Sequence, residues 1–165
     1  MNTIFYTVNN YNTLPISLEK AKAFLRITNE TDDDIVASLI KSTINYAENK
    51  FNLVIGKKDY EITFHPHSQE FHISKPNLTN INFVKKNNAL INYTQSGSII
   101  TFGEDILNSQ ITINFTCENN HFGEALEIAI LRHAFFLYEN RSNLNVNFHN
   151  IEAIYSHLFQ NNYKI

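Results

Sequence analysis

Tryptophan is absent from this 165-residue chain, cysteine occurs once, proline three times and glycine four times. The single cysteine, Cys117, excludes an intramolecular disulfide framework and any zinc site built from several thiolates. No phosphate-binding glycine loop, no G-x-S-x-G elbow and no metalloprotease helix occurs. A basic excess is missing too: 13 Lys and Arg stand against 16 Asp and Glu, for a net charge of −3. That balance argues against a protein whose main task is to grip phosphate backbones. No apolar run approaches the ~20 residues needed to span a bilayer. The stretch 1–12 shows neither the basic nor the apolar region of a secretory signal. The expectation is a soluble protein made and kept in the cytoplasm.

What is present fits a folded chain. The sequence is 43% hydrophobic, 13% aromatic and 18% charged, too apolar for the disordered class. A chain of this length buries about 70% of its unfolded surface, so one unstapled domain over residues 1–165 is expected. There are 25 Asn and 21 Ile. Their joint excess suggests compositional drift, so individual asparagines are not taken as caps, turns or polar sites.

Periodicity separates three sections and predicts an α+β protein, a helical bundle with a central antiparallel β-rich insertion. Residues 16–53 form a helical hairpin. Ser17 caps the first helix, which carries Leu18, Ala21 and Leu25 on one face. Thr31 caps the second, over 32–50, with Asp32, Asp33 and Asp34 in its anion-favouring first turn. Ile35, Leu39, Thr43, Ala47 and Phe51 make its apolar stripe, widened by Val36, Ile40 and Ile44. Across 58–117 the period drops to two: Tyr60/Ile62/Phe64, Phe71/Ile73, Ile81/Phe83 and Ile111/Ile113/Phe115. Five or six short strands follow, with a hairpin turn at Asn87-Asn88. Residues 122–141 form a closing helix, long and apolar on most of its circumference, as expected of one buried in its own core or between subunits. The tail, 142–165, ends in a short helix capped by Asn150 and carrying Ile151, Ile154, Tyr155, Leu158 and Phe159.

Few side chains suggest chemistry. His65 and His67 would share one face of a strand, and a neighbouring strand could bring His72 beside them as a metal cluster. Pro66 between them and the lack of a spaced carboxylate favour exposed polar residues instead. Cys117 lacks a partnered base, and His121 four residues on does not complete a nucleophilic site. His133 reads as a satisfied core histidine. The acids at 32–34 lack the spread of oxygen ligands and the glycine of a calcium loop. Five Asn-x-Ser/Thr sequons, at Asn29, Asn77, Asn92, Asn114 and Asn140, follow from the asparagine content. No enzyme, cofactor or metal is expected.

The order of elements does resemble a known family. Ile16-Ser17-Leu18-Glu19-Lys20-Ala21-Lys22-Ala23-Phe24-Leu25-Arg26-Ile27, then Asp32-Asp33-Asp34-Ile35, looks like the opening "SLEEAKAHLR…DDD" of the phage head–tail connector (adaptor) family. Its members occur in long-tailed phages, prophages and gene transfer agents. The end, Phe136-Leu137-Tyr138-Glu139-Asn140-Arg141, is similar to the family's "W/Y-E-N-R" terminus. Between them, 73–78 with Ile81 resembles the "L-P-x-P-L…V" segment, and 111–115 the last strand. Cys117-Glu118-Asn119 departs from the small residue and glycine usual after that strand. The positions carrying the pattern are Ala21, Leu25, Arg26, Asp33, Asp34, Tyr138, Glu139 and Arg141.

The resemblance implies a structural subunit, with a dodecameric ring expected from the family. Such rings sit under the portal of a filled capsid, extend the channel for passing double-stranded DNA and present a surface to a tail-completion protein. Contact between subunits is expected on the second helix, 32–50. Portal docking is expected on the tail, with Phe148, Tyr155, Phe159 and Tyr163 as apolar anchors, unless the tail folds back on its own core. Assembly is expected in the bacterial cytoplasm, into a virion or phage-like particle. The competing readings are another head-completion or tail-terminator subunit, or a small ligand-binding domain using His65, His67 and His72.

Overall fold

Alternation of period two between residues 56 and 119 does close into sheets, but into more strands than the sequence suggests. The computed structural model describes residues 4–7, 15–119, 123–142 and 148–162, with the backbone alone at 4–7, 148, 149, 157 and 159–162. It is an α+β chain of four helices and antiparallel sheets. The length favours one domain, yet the chain divides into two compact units. One holds Met1–Asn12 and Asn52–Asn120; the other holds Thr13–Phe51 and His121–Ile165.

In the β unit, strands β1 (Ile4–Thr7), β2 (Gly56–Phe64), β4 (Leu78–Lys86), β5 (Ala89–Leu90) and β8 (Ile111–Asn119) form one sheet. Its order is β1-β2-β8-β4-β5. Strands β3 (Glu70–His72), β6 (Tyr93–Ser96) and β7 (Ile99–Phe102) form a second, in the order β3-β7-β6. The edge strand β1 lies in a segment whose sequence shows no strand period. Both sheets feed one core. Tyr60, Ile62 and Phe64 from β2 and Ile111, Ile113 and Phe115 from β8 meet Ile100 and Phe102 from β7. Tyr60 stacks on Phe115 with centroids 5.5 Å apart, and Phe64 on Phe71 at 4.2 Å.

Strand β4 corrects the simple alternation. Ile81 points into the core, but a register shift between Ile81 and Phe83 turns the next inward position over to Val84. Such a bulge places an extra residue on one strand and reverses the phase beyond it. Phe83 is left half-buried, with the Lys85 ammonium 4.4 Å from its ring centroid.

Asparagine also needs correcting. Asn52, Asn77, Asn87, Asn88 and Asn108 all take positive φ, between 48° and 71°. Asparagine tolerates the left-handed region through local hydrogen bonding. In a chain with four glycines it fills turn positions that glycine would otherwise take. Asn87-Asn88, with φ 48° and 71°, forms the expected hairpin turn between β4 and β5. Positive φ at both central residues matches the strand twist.

The helical unit holds α1 (Leu18–Leu25), α2 (Asp33–Phe51), α3 (Glu124–Glu139) and α4 (Phe148–Asn162). Ser17 caps α1 as expected, its Oγ accepting from the Lys20 amide at 3.2 Å. Thr31 does not cap α2. It lies in the preceding turn, where its amide donates to Asn29, and Asp32 supplies the carbonyl for the Val36 amide at 2.9 Å. Asn150 does not cap α4, which begins two residues earlier at Phe148. Along α2 the buried stripe is Val36, Ile40, Thr43, Ile44 and Ala47. Ile35, expected at its head, lies about 100° round the helix from Val36. It is 43% exposed.

Candidate subunit-contact surfaces

Most residues that carry the family pattern bind the helical unit together. Ala21 and Leu25 are buried on the inner face of α1. Arg26 closes that helix in the left-handed conformation, φ 57°, and the Ile27 amide returns to the Lys22 carbonyl at 2.9 Å. That pairing satisfies carbonyls that a helix end leaves open. Asp33, in the first turn of α2, takes the ammonium of Lys22. Asp34 is exposed.

At the far end of the sequence, the half-buried Tyr138 donates its hydroxyl to the Asp32 carboxylate, across 106 residues. This bond to a carboxylate holds the phenol pKa above its ordinary value. Arg141 lies over the same ring, 4.2 Å from its centroid, and donates to the Tyr138 carbonyl at 2.8 Å. Glu139, the last residue of α3, is exposed. The "DDD" and "Y-E-N-R" segments are thus two halves of one latch. Their spacing in sequence reflects a contact within the subunit.

The tail expectation is corrected at Tyr155. That side chain is 1% exposed, so it offers no free surface for docking. Its ring lies 5.8 Å from that of Tyr46 and 5.3 Å from that of Phe51, on α2. Its hydroxyl is hydrogen-bonded to His133 Nδ1 at 3.1 Å. Burial pushes the Tyr155 pKa up and lowers that of His133 to about 4. Both groups are neutral near pH 7. A lone buried aromatic at helical spacing stays in its own core when a polar partner satisfies its hydroxyl. Phe148 and Phe159 lie in α4, but their side chains fall outside the described residues, as does all of Tyr163.

The metal candidate does not assemble. Strand β2 ends at Phe64, so His65 and His67 do not share a strand face, and both are exposed, as is His72. His65 Nδ1 donates to the Ser109 carbonyl at 3.1 Å. Among the described residues no three His, Cys, Asp or Glu side chains converge to hold an ion. Cys117 is buried in the β core, where burial raises its thiol to about 11, far from a reactive thiolate. His121 lies outside the described residues. No described helix is long and apolar enough to cross a membrane.

Beyond the hydrophobic core, the five-stranded sheet carries a polar network. Asn80 donates to Asn82 at 2.8 Å, Asn82 to Asn114 at 2.7 Å, and Asn114 to Glu61 at 3.3 Å. Thr116 donates to Asp59 at 2.5 Å. Asn114 and Thr116 are buried yet fully engaged, as buried polar groups must be.

What sequence reasoning missed lies between α1 and α3. Phe24, Ile128 and Phe135 are 40%, 41% and 43% exposed. Phe24 lines two adjoining hollows, of about 360 and 330 Å³. The first is shared with Ile128 and Leu131 and rimmed by Lys20, Glu124 and Glu127. The second is shared with Phe135 and rimmed by Arg26 and Arg132. Together they form an apolar groove: at one end Lys20 pairs with Glu127 at 2.6 Å and leaves the negative charge of Glu124, and the other end carries Arg26 and Arg132. The available signal was the all-round apolarity of the closing helix, which its own unit does not fully cover. By contrast, the outer face of α2, where subunit contact was expected, is mostly polar. It presents Asp34, Ser38, Lys41, Ser42 and Asn45, with Ile35 as its exposed apolar residue.

The chain is similar to one in "Neck of native GTA particle computed with C12 symmetry", with a TM-score of 0.71 at 11% identity, over 93% of each chain. A chain in "Virion of native gene transfer agent (GTA) particle" matches with a TM-score of 0.69 at 11% identity, over 93% of this chain and 94% of that one. A third, in "Neck of empty GTA particle computed with C6 symmetry", gives 0.70 at 11% identity, over 92% of each. These share its fold. No curated protein sequence matches significantly. Residues 15–114 match the model of the phage gp6-like head-tail connector proteins, and the chain belongs to that family.

Proposed function

We propose that this chain is the connector subunit that forms a ring below the portal and joins a DNA-filled capsid to the tail. The observation that carries this reading is the match to the connector family over residues 15–114, joined to a fold shared over nine-tenths of the chain with neck subunits. Twelve copies per ring follow from the family expectation, and the symmetry stated for one neck supports that number. The partners are a portal protein on one side and a tail-completion protein on the other, in a particle assembled in the bacterial cytoplasm.

Physically, the role asks for a rigid subunit with two different lateral faces. Unlike faces that meet head to tail close into a ring when the rotation fits. The internal latches, Lys22 to Asp33 and Tyr138 to Asp32, supply rigidity without using the outer surface. Double-stranded DNA passes through without sequence-specific binding, and a net charge of −3 avoids a strong grip on sliding phosphates. Portal contact is assigned to the tail, 142–165, on residues other than the buried Tyr155. No catalysis, cofactor or metal is part of the role.

The test is assembly on portal rings. Purified chain mixed with the portal of the same particle should co-sediment, and electron microscopy should show an added ring on one portal face. A chain that never associates with portal rings at any concentration would overturn the reading.

A further inference from the structure

The groove between α1 and α3 is an exposed apolar surface on an otherwise latched helical unit, and its two ends carry opposite charge. Helices α1, α2 and α3 pack pairwise against one another, so they form a triangle in cross-section. The groove between α1 and α3 therefore opens on the side away from α2. The outer face of α2 points the opposite way. Two surfaces on opposite sides of one bundle cannot meet within a subunit, nor across a two-fold axis. They can meet head to tail between successive copies.

Their chemistry is complementary. Along the groove, Arg132 and Glu124 are eight residues apart on α3, about 12 Å at the helical rise. Along the outer face of α2, Asp34 and Lys41 are seven residues apart, about 10 Å. An α2 laid antiparallel to α3 sets Asp34 against Arg132 and Arg26, and Lys41 against Glu124. In the same register Ile35, the exposed apolar residue of α2, lies level with Leu131 and about 6 Å along the axis from Phe135, and the two side chains lean towards each other because each points to its own helix N-terminus. Ser38 lies between the charged ends and Ser42 just past Lys41, and both are small enough to let the helix seat closely.

We propose that the α1–α3 groove of one subunit receives the outer face of the first half of α2 from a second copy of this chain. The inference rests on the ring reading above and adds which faces meet. A contact this small falls at the low end of interface sizes, so one pair is weak and a closed or templated ring is strong. Association would then rise steeply once portal rings supply a template.

The test uses the full chain carrying Ile35→Cys and Phe135→Cys, oxidised at rising concentration with and without portal rings. Both positions are exposed, and the buried Cys117, with its raised pKa, stays silent. The double variant should give a disulfide-linked ladder on a non-reducing gel. A mixture of the two single variants should stop at dimers, and each single variant alone should stay monomeric. In parallel, Phe24→Asp should leave the melting curve of the monomer unchanged and weaken self-association about tenfold.

Self-linking by either single variant would mean a two-fold contact and overturn the proposal. Rings seen by microscopy without a ladder would sink the groove assignment and leave the connector reading standing. Loss of portal binding in Phe24→Asp, with no ladder in the double variant, would assign the groove to the portal instead. Absence of any association, with itself or with portal rings, would remove both readings together.

Discussion

The two units solve the problem of burying apolar surface in opposite ways. The β unit places its aromatics and isoleucines between two sheets, and the polar residues of its larger sheet bond one another through Asn82, Asn114 and Thr116. Its exposed large apolar side chains, Leu90, Ile99 and Leu107, line neither hollow of the groove. The helical unit is held by charged and hydrogen-bonded latches as well as by its core, and leaves Phe24, Ile128 and Phe135 along a groove. An apolar surface left exposed beside such latches is what the proposed contact between copies would use. The difference teaches that the β unit buries its apolar side chains between sheets, whereas the helical unit leaves three of its large ones exposed.

The strongest way to test that division is to damage the β core. Phe115 is fully buried and stacked on Tyr60. Phe115→Ala should cost about 3–5 kcal/mol by loss of transfer energy and creation of a cavity, read from the denaturation midpoint. A smaller loss would mean that the two sheets repack around the gap.

Acid should act first on the helical unit. The folded-state pKa of His133 is lowered to about 4 from the usual 6.5, so the unfolded chain binds its proton first. Stability from this group is therefore complete above pH 6.5 and is lost as pH falls towards 4, by an amount on the order of 3 kcal/mol. Thermal melts of the native chain should drop across that window more steeply than those of His133→Leu. Parallel profiles would show that His133 is not the group responsible.

A milder lesion separates the latch from the core. Tyr138→Phe removes the hydroxyl bond to Asp32 and should lower the melting midpoint by less than the acid effect at His133, since the pair is only half-buried. Asp32→Asn, which keeps an acceptor, should cost less in the same melt. An equal loss from both would show that charge, and not the bond, holds the ends of α2 and α3 together.

The smallest effect is expected at the hairpin turn. Asn88 sits at φ 71°, where glycine carries no Cβ penalty. Asn88→Gly should stabilise the β unit by only a few tenths of a kcal/mol, because the unfolded chain gains freedom as well. A loss of stability would mean that the asparagine side chain, and not the backbone angle alone, supports the turn.

Most of the helices were legible because their signals are local. Ser17 caps where it should, the aspartates open α2, and the Tyr138–Arg141 terminus ends α3. Thr31 misses the start of α2 by one residue, since Asp32 directly precedes it, and Asn150 lies in the first turn of α4, two residues after its start. Strand β1 was not legible, because an edge strand of four residues carries too little alternation to stand out. The bulge in β4 was invisible for a different reason. It answers to the neighbouring strand β8, which no local window contains. Of the eight positions of the family pattern, Ala21 and Leu25 lie in the core, Arg26 ends α1, Asp33, Tyr138 and Arg141 form the latches, and Asp34 and Glu139 stay exposed.

By itself, then, the sequence determined the α+β class, most of the helices and the period-two middle, since capping, composition and periodicity act within a few residues along the chain, while the family came from its resemblance to known members. Tertiary structure alone decided that Asp32 would meet Tyr138 across 106 residues, that Tyr155 would turn inward, and that Phe24, Ile128 and Phe135 would stay outside. Apolar residues look alike in sequence. Which of them a fold covers depends on how many helices are at hand to cover them, and in this unit an apolar groove between α1 and α3 is left open.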